Sequence, residues 1–595
     1  MSKPDIVFEC SFEVCNKVGG IYAVLKSKAA YMSQHYGEDY YTIGYYQPEK
    51  ARIEFEPTEP PREFKEVFDE LKGEGVQCLY GRWLIPGRPK TILVNSTNCG
   101  GCINDVKKWL WEEYQVDSIQ SDDWFNHPVV WNYYVGKLVD KLSQTKKLKG
   151  KKIVGHFHEW MSGTAILYLK GQGSNVGTVF TTHATMLGRT MAGVGKDLYK
   201  IVNEGLERGE TATHDTAKAH SVQDKHSMEV ACAKSADVFT TVSTVTGKEA
   251  EYILGVKPDV YLFNGVDCGR YPGLEELTVL RRKYRSESRK FLTAYFNRYY
   301  SMDLYNIRSV YISGRYEFHN KGLDVFIDAL GRVNRQMRDN GYENHLVAFI
   351  FVPAGQHGEN FDVLKNVALF QELFEHVDEE LPEIRDRIVQ GLADGKLPEK
   401  VYTDGFIEQS RKMIAHFKEK EGQNPPLCSF QLDDMQGDPV MNHLWKNQLL
   451  NRKEDKVKIV FYPAYLSSAD RMLGLDYNEA TLTCDMGVFP SFYEPWGYTP
   501  LESAAQATPS VTTDLAGYGR FMKGKGDGVR VLSVEGRSYD DIVEQLSQEL
   551  MDLASMPSKE LSRRRISAKN LALEADWKVL SENYFKAHEL ACGKK

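Results

Sequence analysis

The sequence predicts an α/β protein with two Rossmann-like lobes, each built on a parallel sheet. Short apolar runs of strand length recur along the 595 residues and are separated by segments of helical periodicity. The runs are apolar throughout and do not alternate with polar residues, which is typical of strands covered on both faces. Turn-forming residues at 264–267, followed by Tyr271-Pro272-Gly273, separate an earlier set of strands from a later one. We therefore expect two parallel sheets that face a central cleft.

Each element of this prediction has its own segment. The strands are expected at 6–8, 153–158, 176–182, 238–242, 260–263, 309–313, 346–352, 457–462 and 486–489. Helical segments lie between many of them, for example at 20–32 and 323–337. We assign residues 1–268, completed by a helix at 577–595, to the first lobe, and residues 269–576 to the second.

The longest interval without a strand, about 359–425, predicts a helical insertion in the second lobe. Its apolar residues fall mostly at spacings of three and four, which places them on one helical face: Val363, Val367, Phe370, Phe374, Val377 and Leu381. This face could pack on the lobe itself or contact another subunit, and both interpretations stay open.

Composition limits the class of protein. The 42% apolar and 26% charged residues are ordinary for a globular chain, which excludes disordered and collagen-like proteins. The net charge of −8 has no long block of one sign, so we expect no nucleic-acid partner. Ten cysteines are too few for a disulfide scaffold and indicate a reducing compartment. With no apolar run near about 18 residues and no signal-peptide pattern, we expect a cytoplasmic protein without a membrane span.

The first lobe offers three candidate segments at strand ends. Lys17-Val18-Gly19-Gly20 opens the first helix, where free backbone N–H groups and a cation favour an anion. Two further strands end at the 155–160 segment, with Glu159, and at 181–185, with His183, and Arg189 follows closely. Ligand-binding groups collect at the carboxyl ends of parallel strands.

The second lobe offers two loops. Arg315 and Lys321 lie six residues apart between a strand and a helix, a pairing of cations suited to a diphosphate. The aromatic-rich loop 489–498 carries Glu494, a candidate sugar-hydroxyl acceptor or charge stabiliser. Beyond it, Thr499 and Glu502 have the spacing of a capping box, which would give Glu502 a structural role. No HExxH motif or workable Cys/His tetrad is present, so we expect no metal.

Taken together, these motifs resemble those of the eukaryotic-type glycogen synthases, which are retaining glycosyltransferases of the GT-B fold. The likeness extends over nearly the whole chain, from 17–20 to Trp577-Lys578. Its most specific stretch is 487–502, and the segments 313–322 and 181–189 match in the same order. A match of this length and order favours common descent over chance.

The resemblance implies a role for each matching residue. Glu494 would face the transferred glucose, Glu502 the ribose, and Tyr477 would stack on uracil. Residues acting at the reacting bond would be Glu494, Arg315, Lys321 and His183. Residues binding the donor would be Lys17, Gly19, Gly20, Arg189, Tyr477, Gly497, Tyr498, Thr499 and Glu502. Glu159 would lie near the acceptor, and the segment 577–590 would cross back to the first lobe.

The implied reaction is transfer of glucose from UDP-glucose to the 4-hydroxyl of glycogen or another α-1,4-glucan, with retention. No cofactor is expected, because cations can stabilise the departing diphosphate. Front-face attack and a covalent Glu494 intermediate both stay open. The resemblance also implies a homotetramer built through 359–425 and a priming protein of the glycogenin type.

Regulation departs from the family pattern. Arg563, Arg564 and Arg565 lie where the family binds glucose 6-phosphate, but adjacent helical residues point about 100° apart. Asp485 replaces a family histidine that contacts this effector, and a carboxylate there would repel phosphate. We therefore expect weak or absent activation by glucose 6-phosphate and no control through phosphorylated tails.

Three other interpretations compete with this one. An ADP-glucose-dependent or other retaining GT-B glucosyltransferase would share most of the motifs. A non-catalytic glucan-binding scaffold on the same fold would be free to lose charges such as Lys321 and Glu494, which are costly to bury unpaired. Their presence therefore argues against a scaffold. An NAD-dependent oxidoreductase is disfavoured because the GxGxxG fingerprint is missing.

Overall fold

The computed structural model describes residues 3–398 and 400–594. Its strands are β1 (Ile6–Cys10), β2 (Tyr40–Tyr45), β3 (Phe55–Pro57), β4 (Gln77–Trp83), β5 (Lys90–Asn95), β6 (Ile153–His158), β7 (Gly177–Thr182), β8 (Val238–Thr241), β9 (Val260–Tyr261), β10 (Ile307–Ser313), β11 (His345–Phe351), β12 (Gln356–Glu359), β13 (Phe430–Leu432), β14 (Val457–Phe461), β15 (Met486–Val488), β16 (Ser510–Thr513) and β17 (Val529–Leu532).

The helices surround these strands. They are α1 (Gly20–Tyr36), α2 (Pro48–Glu54), α3 (Arg62–Gly73), α4 (Ile103–Tyr114), α5 (Asp123–Gln144), α6 (Thr164–Gly171), α7 (Met186–Gly193), α8 (Leu198–Glu207), α9 (His214–Ala219), α10 (Gln223–Ser235), α11 (Thr244–Leu254), α12 (Leu274–Phe296), α13 (Leu323–Asp339), α14 (Phe361–Ala393), α15 (Asp404–Phe417), α16 (Pro439–Lys446), α17 (Tyr477–Thr483), α18 (Tyr498–Ala505), α19 (Gly517–Met522), α20 (Tyr539–Ser555), α21 (Ser558–Leu573) and α22 (Trp577–Gly593). Within the described ranges, no helix is long and apolar enough to cross a membrane.

Two large sheets organise the chain. The first has the order β3-β4-β5-β2-β1-β6-β7-β8-β9, and the second has the order β14-β11-β10-β15-β16-β17. All neighbours are parallel except that β4 runs antiparallel to β3 and β5. The nine predicted strands all form, with ends within two residues of the predicted ones. The two-lobed α/β prediction and its GT-B architecture are confirmed.

Several strands were not singled out from the sequence. In the first sheet these include β2, β4 and β5, and in the second sheet β16 and β17. Most of these sequences mix tyrosine, threonine, glycine and basic residues, although β5 contains the short apolar run Ile92-Leu93-Val94. Strand β16, for example, reads Ser-Val-Thr-Thr and is wholly buried. Pairing with neighbours and burial between helices, which a local pattern does not report, make them strands.

Helix α22 lies against the first sheet although it is distant from it in sequence. Trp577, Tyr584 and Ala587 are fully buried there. The Trp577 backbone N–H donates to Val266 O at 3.0 Å, and its indole Nε1 donates to Ser27 Oγ of α1 at 2.9 Å. The segment that closes this face of the first lobe therefore comes after the whole second lobe in the chain.

The helical insertion consists mainly of α14 and α15. The beginning of its apolar face is covered, with Val363 and Leu369 buried. Further along α14, Phe374, Val377 and Leu381 are 38–52% exposed. The predicted face therefore packs on the lobe only at its start and is open to solvent beyond it.

Candidate active site

The candidate residues come from loops at the carboxyl ends of both sheets, and the 493–495 loop brings the two sets together. Tyr493 Oη donates to Glu249 Oε1 of the first lobe at 3.3 Å, and Thr246 Oγ1 donates to Pro495 O at 3.4 Å. Tyr493 is buried by these contacts. The cleft predicted from the sequence is therefore present, with Glu494 at its wall.

An ion pair between Lys321 and Glu494 lies at the centre of the second-lobe wall. Their side chains are 15% and 20% exposed. The two loops that carry them are joined because Phe492 N donates to Asn320 O at 2.9 Å. Gly322 has φ +68°, and a Cβ there would lie 2.1 Å from Pro490 O, so only glycine permits this close approach. The structure thus places a cation and a carboxylate side by side, as the sequence predicted for one pocket.

Arg315 lies on the same loop but has a different partner. Its guanidinium is ion-paired with Glu317, with 2.9 Å between Nη2 and Oε1, and the side chain is 71% exposed. It contacts neither Lys321 nor Glu494 through a hydrogen bond or ion pair in the described residues. The two predicted diphosphate cations are therefore close in sequence but not joined, and Arg315 is free to reorient.

The capping box predicted at the start of α18 is wrong. The helix begins at Tyr498 with Gly497 as its N-cap and no side-chain acceptor on its first turn. Gly497 has φ +113°, which starts the helix earlier than the sequence pattern indicated and places Thr499 inside it. The backbone N–H groups of this turn remain open to an anion, and Glu502 has no capping role.

Tyr477 and Glu502 form the other end of the second-lobe wall. Tyr477 Oη lies 2.9 Å from Ser313 Oγ, at the end of β10. Burial raises the pKa of Glu502 to about 7, and burial followed by the proximity of Glu502 raises the pKa of Tyr477. An aromatic ring and a carboxyl group are therefore close together at the β10 end of the cleft.

The glycine loop of the first lobe carries an acceptor of its own. Gly19 N and Tyr22 N both donate to Glu13 Oε2 at 2.8 Å, and Glu13 is buried. The sequence predicted free N–H groups at this helix start, and the structure corrects this because Glu13 occupies two of them. Lys17 is exposed beside the loop.

A line of buried side chains lies behind His183. His183 Nε2 is 3.0 Å from His158 Nδ1, and His158 Nε2 is 2.7 Å from Glu9 Oε1. Glu9 is also ion-paired with Lys28, and both are fully buried. Burial would raise the pKa of Glu9, but Lys28 and the histidine hydrogen bond hold it well below its usual range. Sequence analysis missed Glu9, Lys28 and the role of His158.

This line fixes which nitrogen of His183 faces outward. Burial lowers the pKa of both His158 and His183, so both rings are neutral. Ionised Glu9 accepts the Nε2–H of His158, whose Nδ1 must then accept the Nε2–H of His183. His183 Nδ1 is left as a hydrogen-bond acceptor, which suits a sugar hydroxyl.

A second line leads from the same sheet to α22. His156 Nδ1 is 3.0 Å from His588 Nε2, and His588 Nδ1 is 3.0 Å from Tyr36 Oη. Ligand-type atoms of Glu9, His156 and His158 lie within 4.8 Å of one another. Glu9 is already ion-paired with Lys28, however, so this group is a charge network and is poorly suited to a metal ion.

Three buried carboxylates hold the loop that carries His183. Glu159 Oε1 accepts from His183 N at 2.9 Å, Glu249 Oε1 from Thr185 N at 3.0 Å, and Glu229 Oε2 from Met186 N at 3.0 Å. Burial raises the pKa of all three, that of Glu159 to about 7.

Arg189 lies on α7, which follows this loop. Loss of hydration would lower the pKa of its guanidinium, but nearby Tyr493 and these acids raise it above its usual value. Glu159, which the resemblance places on the acceptor side, accepts hydrogen bonds from the backbone of the His183 loop in this structure.

The three arginines of α21 point to different partners. Arg563 pairs with Asp527, Arg564 lies 3.6 Å from Glu549, and Arg565 donates to Asp485 at 2.7 Å. Asp485 is buried and also pairs with Arg285. Arg565 lines a cavity of about 490 Å³ together with Arg281, Arg282, Arg285 and Arg289. The repulsion expected from Asp485 is thus offset by two guanidinium groups.

Comparisons with known proteins bear on the whole chain. A sequence profile of the glycogen synthase family matches residues 9–595. Glycogen [starch] synthase of Neurospora crassa is 33% identical over 99% of this chain and 84% of its own length. The Caenorhabditis elegans protein of the same name is 33% identical over 98% of this chain and 88% of its own.

Among solved structures the similarity is more distant. An α,α-trehalose-phosphate synthase (UDP-forming) from Burkholderia xenovorans in complex with glucose-6-phosphate aligns with 98% of this chain and 99% of its own, with 10% identity and a TM-score of 0.48. The sequence relationships are much closer and extend over nearly every residue. On their strength, the chain belongs to the glycogen synthase family.

Proposed function

We propose that this glycosyltransferase transfers glucose from UDP-glucose to the non-reducing 4-hydroxyl of an α-1,4-glucan, with retention of configuration. Membership of the glycogen synthase family establishes the class of enzyme and implies a glucan acceptor. The observation that carries the proposal is the Lys321–Glu494 ion pair at the cleft wall. Across the cleft, His183 supplies a hydrogen-bond acceptor held by the Glu9 line.

Departure of the diphosphate is the step that the second lobe would assist. As the sugar–phosphate bond breaks, negative charge grows on the leaving group. Lys321, a reoriented Arg315 and the uncapped first turn of α18 are the groups available to stabilise it. A donor that is in place in the transition state contributes about 3–4 kcal/mol. The chemistry therefore has a route that uses only side chains and backbone N–H groups.

Glu494 would stabilise the positive charge that develops on the hexose. When Lys321 turns to the diphosphate, the Glu494 carboxylate is released from its ion pair and faces the sugar. Attack by the acceptor hydroxyl on the face that the diphosphate leaves gives retention directly. A covalent intermediate on Glu494 gives the same outcome, and trapping with a slow donor analogue would distinguish the two.

The nucleoside end of the cleft would be formed by Tyr477 and Glu502. Tyr477 is anchored by Ser313, so its ring is fixed for stacking on a base. Glu502 has no capping role and is available to accept hydrogen bonds from ribose hydroxyls. Uridine is the base that the resemblance implies, and ADP-glucose is the alternative donor.

Incorporation of labelled glucose into glycogen from UDP-glucose and, separately, from ADP-glucose tests this proposal. We expect incorporation from UDP-glucose, and its loss in Glu494→Ala with the protein still folded. Preference for ADP-glucose would replace the donor assignment. Incorporation from neither donor would favour a non-catalytic glucan-binding scaffold instead.

We also propose that the chain forms a homotetramer through α14 and α15 and accepts a primer from a glycogenin-type protein. The exposed apolar side chains Phe374, Val377 and Leu381 on α14 support the assembly, because such a face is costly to leave in water. Light scattering should give a mass near four chains, and Leu381→Lys should lower it. A monomeric mass for the unmodified protein would contradict the assembly.

A further inference from the structure

The first turn of α11 lies against the loop that carries Glu494. Ser243 is the N-cap of this helix, and its Oγ accepts from Thr246 N at 3.1 Å. Thr246 Oγ1 in turn donates to Pro495 O at 3.4 Å, and Glu249, three residues further on, is fully buried. Neither Ser243 nor Glu249 was singled out from the sequence. The start of α11 is therefore a first-lobe surface on which a second-lobe loop rests.

One oxygen of Glu249 joins the two loops that carry candidate catalytic groups. Its Oε1 accepts from Thr185 N at 3.0 Å and from Thr185 Oγ1 at 2.7 Å. The same atom accepts from Tyr493 Oη at 3.3 Å. Thr185 lies two residues after His183, and Tyr493 immediately precedes Glu494. A single carboxyl oxygen therefore links loops from opposite sides of the cleft.

Thr185 extends this link to α7. It is the N-cap of that helix, and its Oγ1 accepts from Gly188 N at 3.0 Å. Arg189, a predicted donor-binding residue, is the next residue of the helix. Because Thr185 is held by Glu249 through both its backbone and its side chain, Glu249 fixes where α7 begins.

The second lobe approaches α11 most closely at Gly517. Gly517 N donates to Glu494 O at 3.0 Å. A Cβ at this position would lie 2.6 Å from Ser243 Cβ and would also overlap Pro495 O. Only a residue without a side chain permits this approach. The Glu494 loop, Gly517 and the start of α11 are therefore in tight contact.

Glu249 differs from the two other buried acids of the His183 loop. Glu159 accepts from His183 N, and Glu229 accepts from Met186 N with both of its oxygens, so their partners are in the first lobe. Glu249 Oε2, by contrast, is buried without a hydrogen-bond partner in the part of the chain that the structure describes. An unpaired buried oxygen lowers stability, and such costs are expected at functional positions.

We propose that Glu249 is a positioning residue for glucose transfer, which sets the distance between the His183 loop and the Glu494 loop. The inference rests on the proposed function, because that function assigns both loops to the same glucose. Glu249 acts through Thr185 and Tyr493 and not on the substrate. The nucleoside would be held by second-lobe groups alone, so loss of the link should slow the transfer step and leave nucleoside binding unchanged.

Tyr493→Phe breaks the link to the second lobe, while Glu249 keeps both bonds to Thr185. We expect kcat to fall by about 5- to 10-fold, because one hydrogen bond to a buried carboxyl group is lost. The Kd for UMP (AMP if ADP-glucose is the donor), measured by calorimetry, should change by less than about twofold. An unchanged kcat would overturn the positioning role.

Lys248→Met is the matched control. Lys248 lies on the same helix and also reaches the second lobe, at 3.5 Å from Glu535, but its side chain is 51% exposed. Removing an exposed pair of this kind should leave kcat within about twofold. If Lys248→Met lowered kcat as much as Tyr493→Phe, the effect would come from looser contact between the lobes in general, and the role of Glu249 would be wrong.

Glu249→Met removes the shared acceptor and completes a double-variant test. Both substitutions break the same link, so kcat of Glu249→Met/Tyr493→Phe should be no lower than that of Glu249→Met alone. Losses that multiply would show two independent effects and would overturn the proposal. Circular dichroism checks that Glu249→Met folds. If it does not, Tyr493→Phe and its control still decide the question.

Hydrogen exchange in the peptide 181–189, followed by mass spectrometry, separates this inference from the proposed reaction. The Thr185 amide donates to Glu249 in the first lobe, whereas Tyr493 belongs to the second. Tyr493→Phe should speed exchange of this amide several-fold, and Lys248→Met should not. That result would support the link even if the protein transfers glucose from neither donor, which would overturn the reaction alone. Unchanged exchange would overturn the link and leave the reaction intact.

Discussion

The two lobes hold the charges at and behind the cleft wall in different ways. In the first lobe, Glu9 and Lys28 are fully buried beneath His158 and His183. In the second lobe, Arg315 is mostly exposed, and the side chains of the Lys321–Glu494 pair keep 15% and 20% of their surface exposed. The first lobe therefore fixes its groups through the protein interior, whereas the second keeps its cations near solvent.

This difference teaches which part of the site is preformed. Burying an ion pair costs several kcal/mol of desolvation for each ion, and separating the two buried charges would cost more. The pair therefore holds its neighbours in one arrangement. An exposed pair such as Arg315–Glu317 contributes little to stability, and a pair that water can reach, such as Lys321–Glu494, exchanges partners more readily than a fully buried one. We infer that the first lobe presents a rigid sugar-facing wall and that the second lobe rearranges its cations when the diphosphate arrives.

The largest expected effect comes from breaking the buried pair. Glu9→Gln leaves the Lys28 ammonium buried without a counter-charge, which should lower the free energy of unfolding by about 3–5 kcal/mol. Chemical denaturation followed by circular dichroism measures it. The double variant Glu9→Gln/Lys28→Met removes both charges and should recover most of the loss. A change below about 1 kcal/mol in the single variant would show that the pair does not brace the wall.

Removing a second-lobe cation should affect catalysis more than stability. We expect Lys321→Ala to lower kcat by about 100- to 1,000-fold, because one transition-state donor is lost. The free energy of unfolding should fall by about 1–2 kcal/mol, less than in Glu9→Gln, because the Glu494 carboxylate left without a partner is still 20% exposed to water. Steady-state kinetics and denaturation on the same preparation measure both. Lys321→Arg, which keeps the charge, should retain more activity than alanine; equal losses would argue against a charge role.

Glu502 should make donor binding depend on pH. Burial raises its pKa to about 7, so the acid becomes an ionised acceptor only as the pH rises through about 7. The KM for UDP-glucose should fall by about tenfold from pH 6 to pH 8, as ribose hydroxyls gain a charged acceptor. The effect on folding has the opposite direction. Because the pKa of Glu502 is higher in the folded protein than in the unfolded chain, its contribution to the free energy of unfolding is lost as the pH rises towards 7.

Glu502→Gln is the control for this pH dependence. Glutamine keeps the shape and the acceptor oxygen but does not ionise, so its KM should stay flat across the same range. A pH response that persists in Glu502→Gln would assign the titration to another group, such as Glu159, whose pKa is also raised to about 7.

The smallest expected effect concerns glucose 6-phosphate. Arg285 and Arg565 are already held by Asp485, so a phosphate would have to displace a carboxylate. Activity of the unmodified protein should rise by less than about twofold on adding the sugar phosphate. Asp485→Asn frees both guanidinium groups and should increase the response. A several-fold activation of the unmodified protein would contradict this.

The sequence was most informative where a buried strand has a mostly apolar local sequence. Strands covered on both faces are rich in apolar residues, so β1, β6 and β10 could be located to within two residues. Strands such as β2 and β16 depend on hydrogen bonds to neighbours far along the chain, and neither Tyr-Tyr-Thr-Ile-Gly-Tyr nor Ser-Val-Thr-Thr forms an apolar run. A local sequence pattern does not predict which strands pair with each other.

The site shows the same limit. Lys321 and Glu494 were identified because they lie in long motifs, and the structure brings them together. Lys28 falls on the apolar face of α1, in step with Val24 and Leu25, and Glu9 interrupts an apolar strand. Both are patterns of a buried charge, but only the three-dimensional fold reveals that the two residues are partners.

The position of α22 has a consequence for synthesis of the protein. The face of the first sheet that it covers is built from residues before 262, yet Trp577 and Tyr584 cover it. As the chain leaves the ribosome, that apolar surface and the imidazole of His156 remain without their lid until His588 has emerged. The half of the molecule that is translated first is thus finished last, and chaperones would have several hundred residues of elongation in which to hold it.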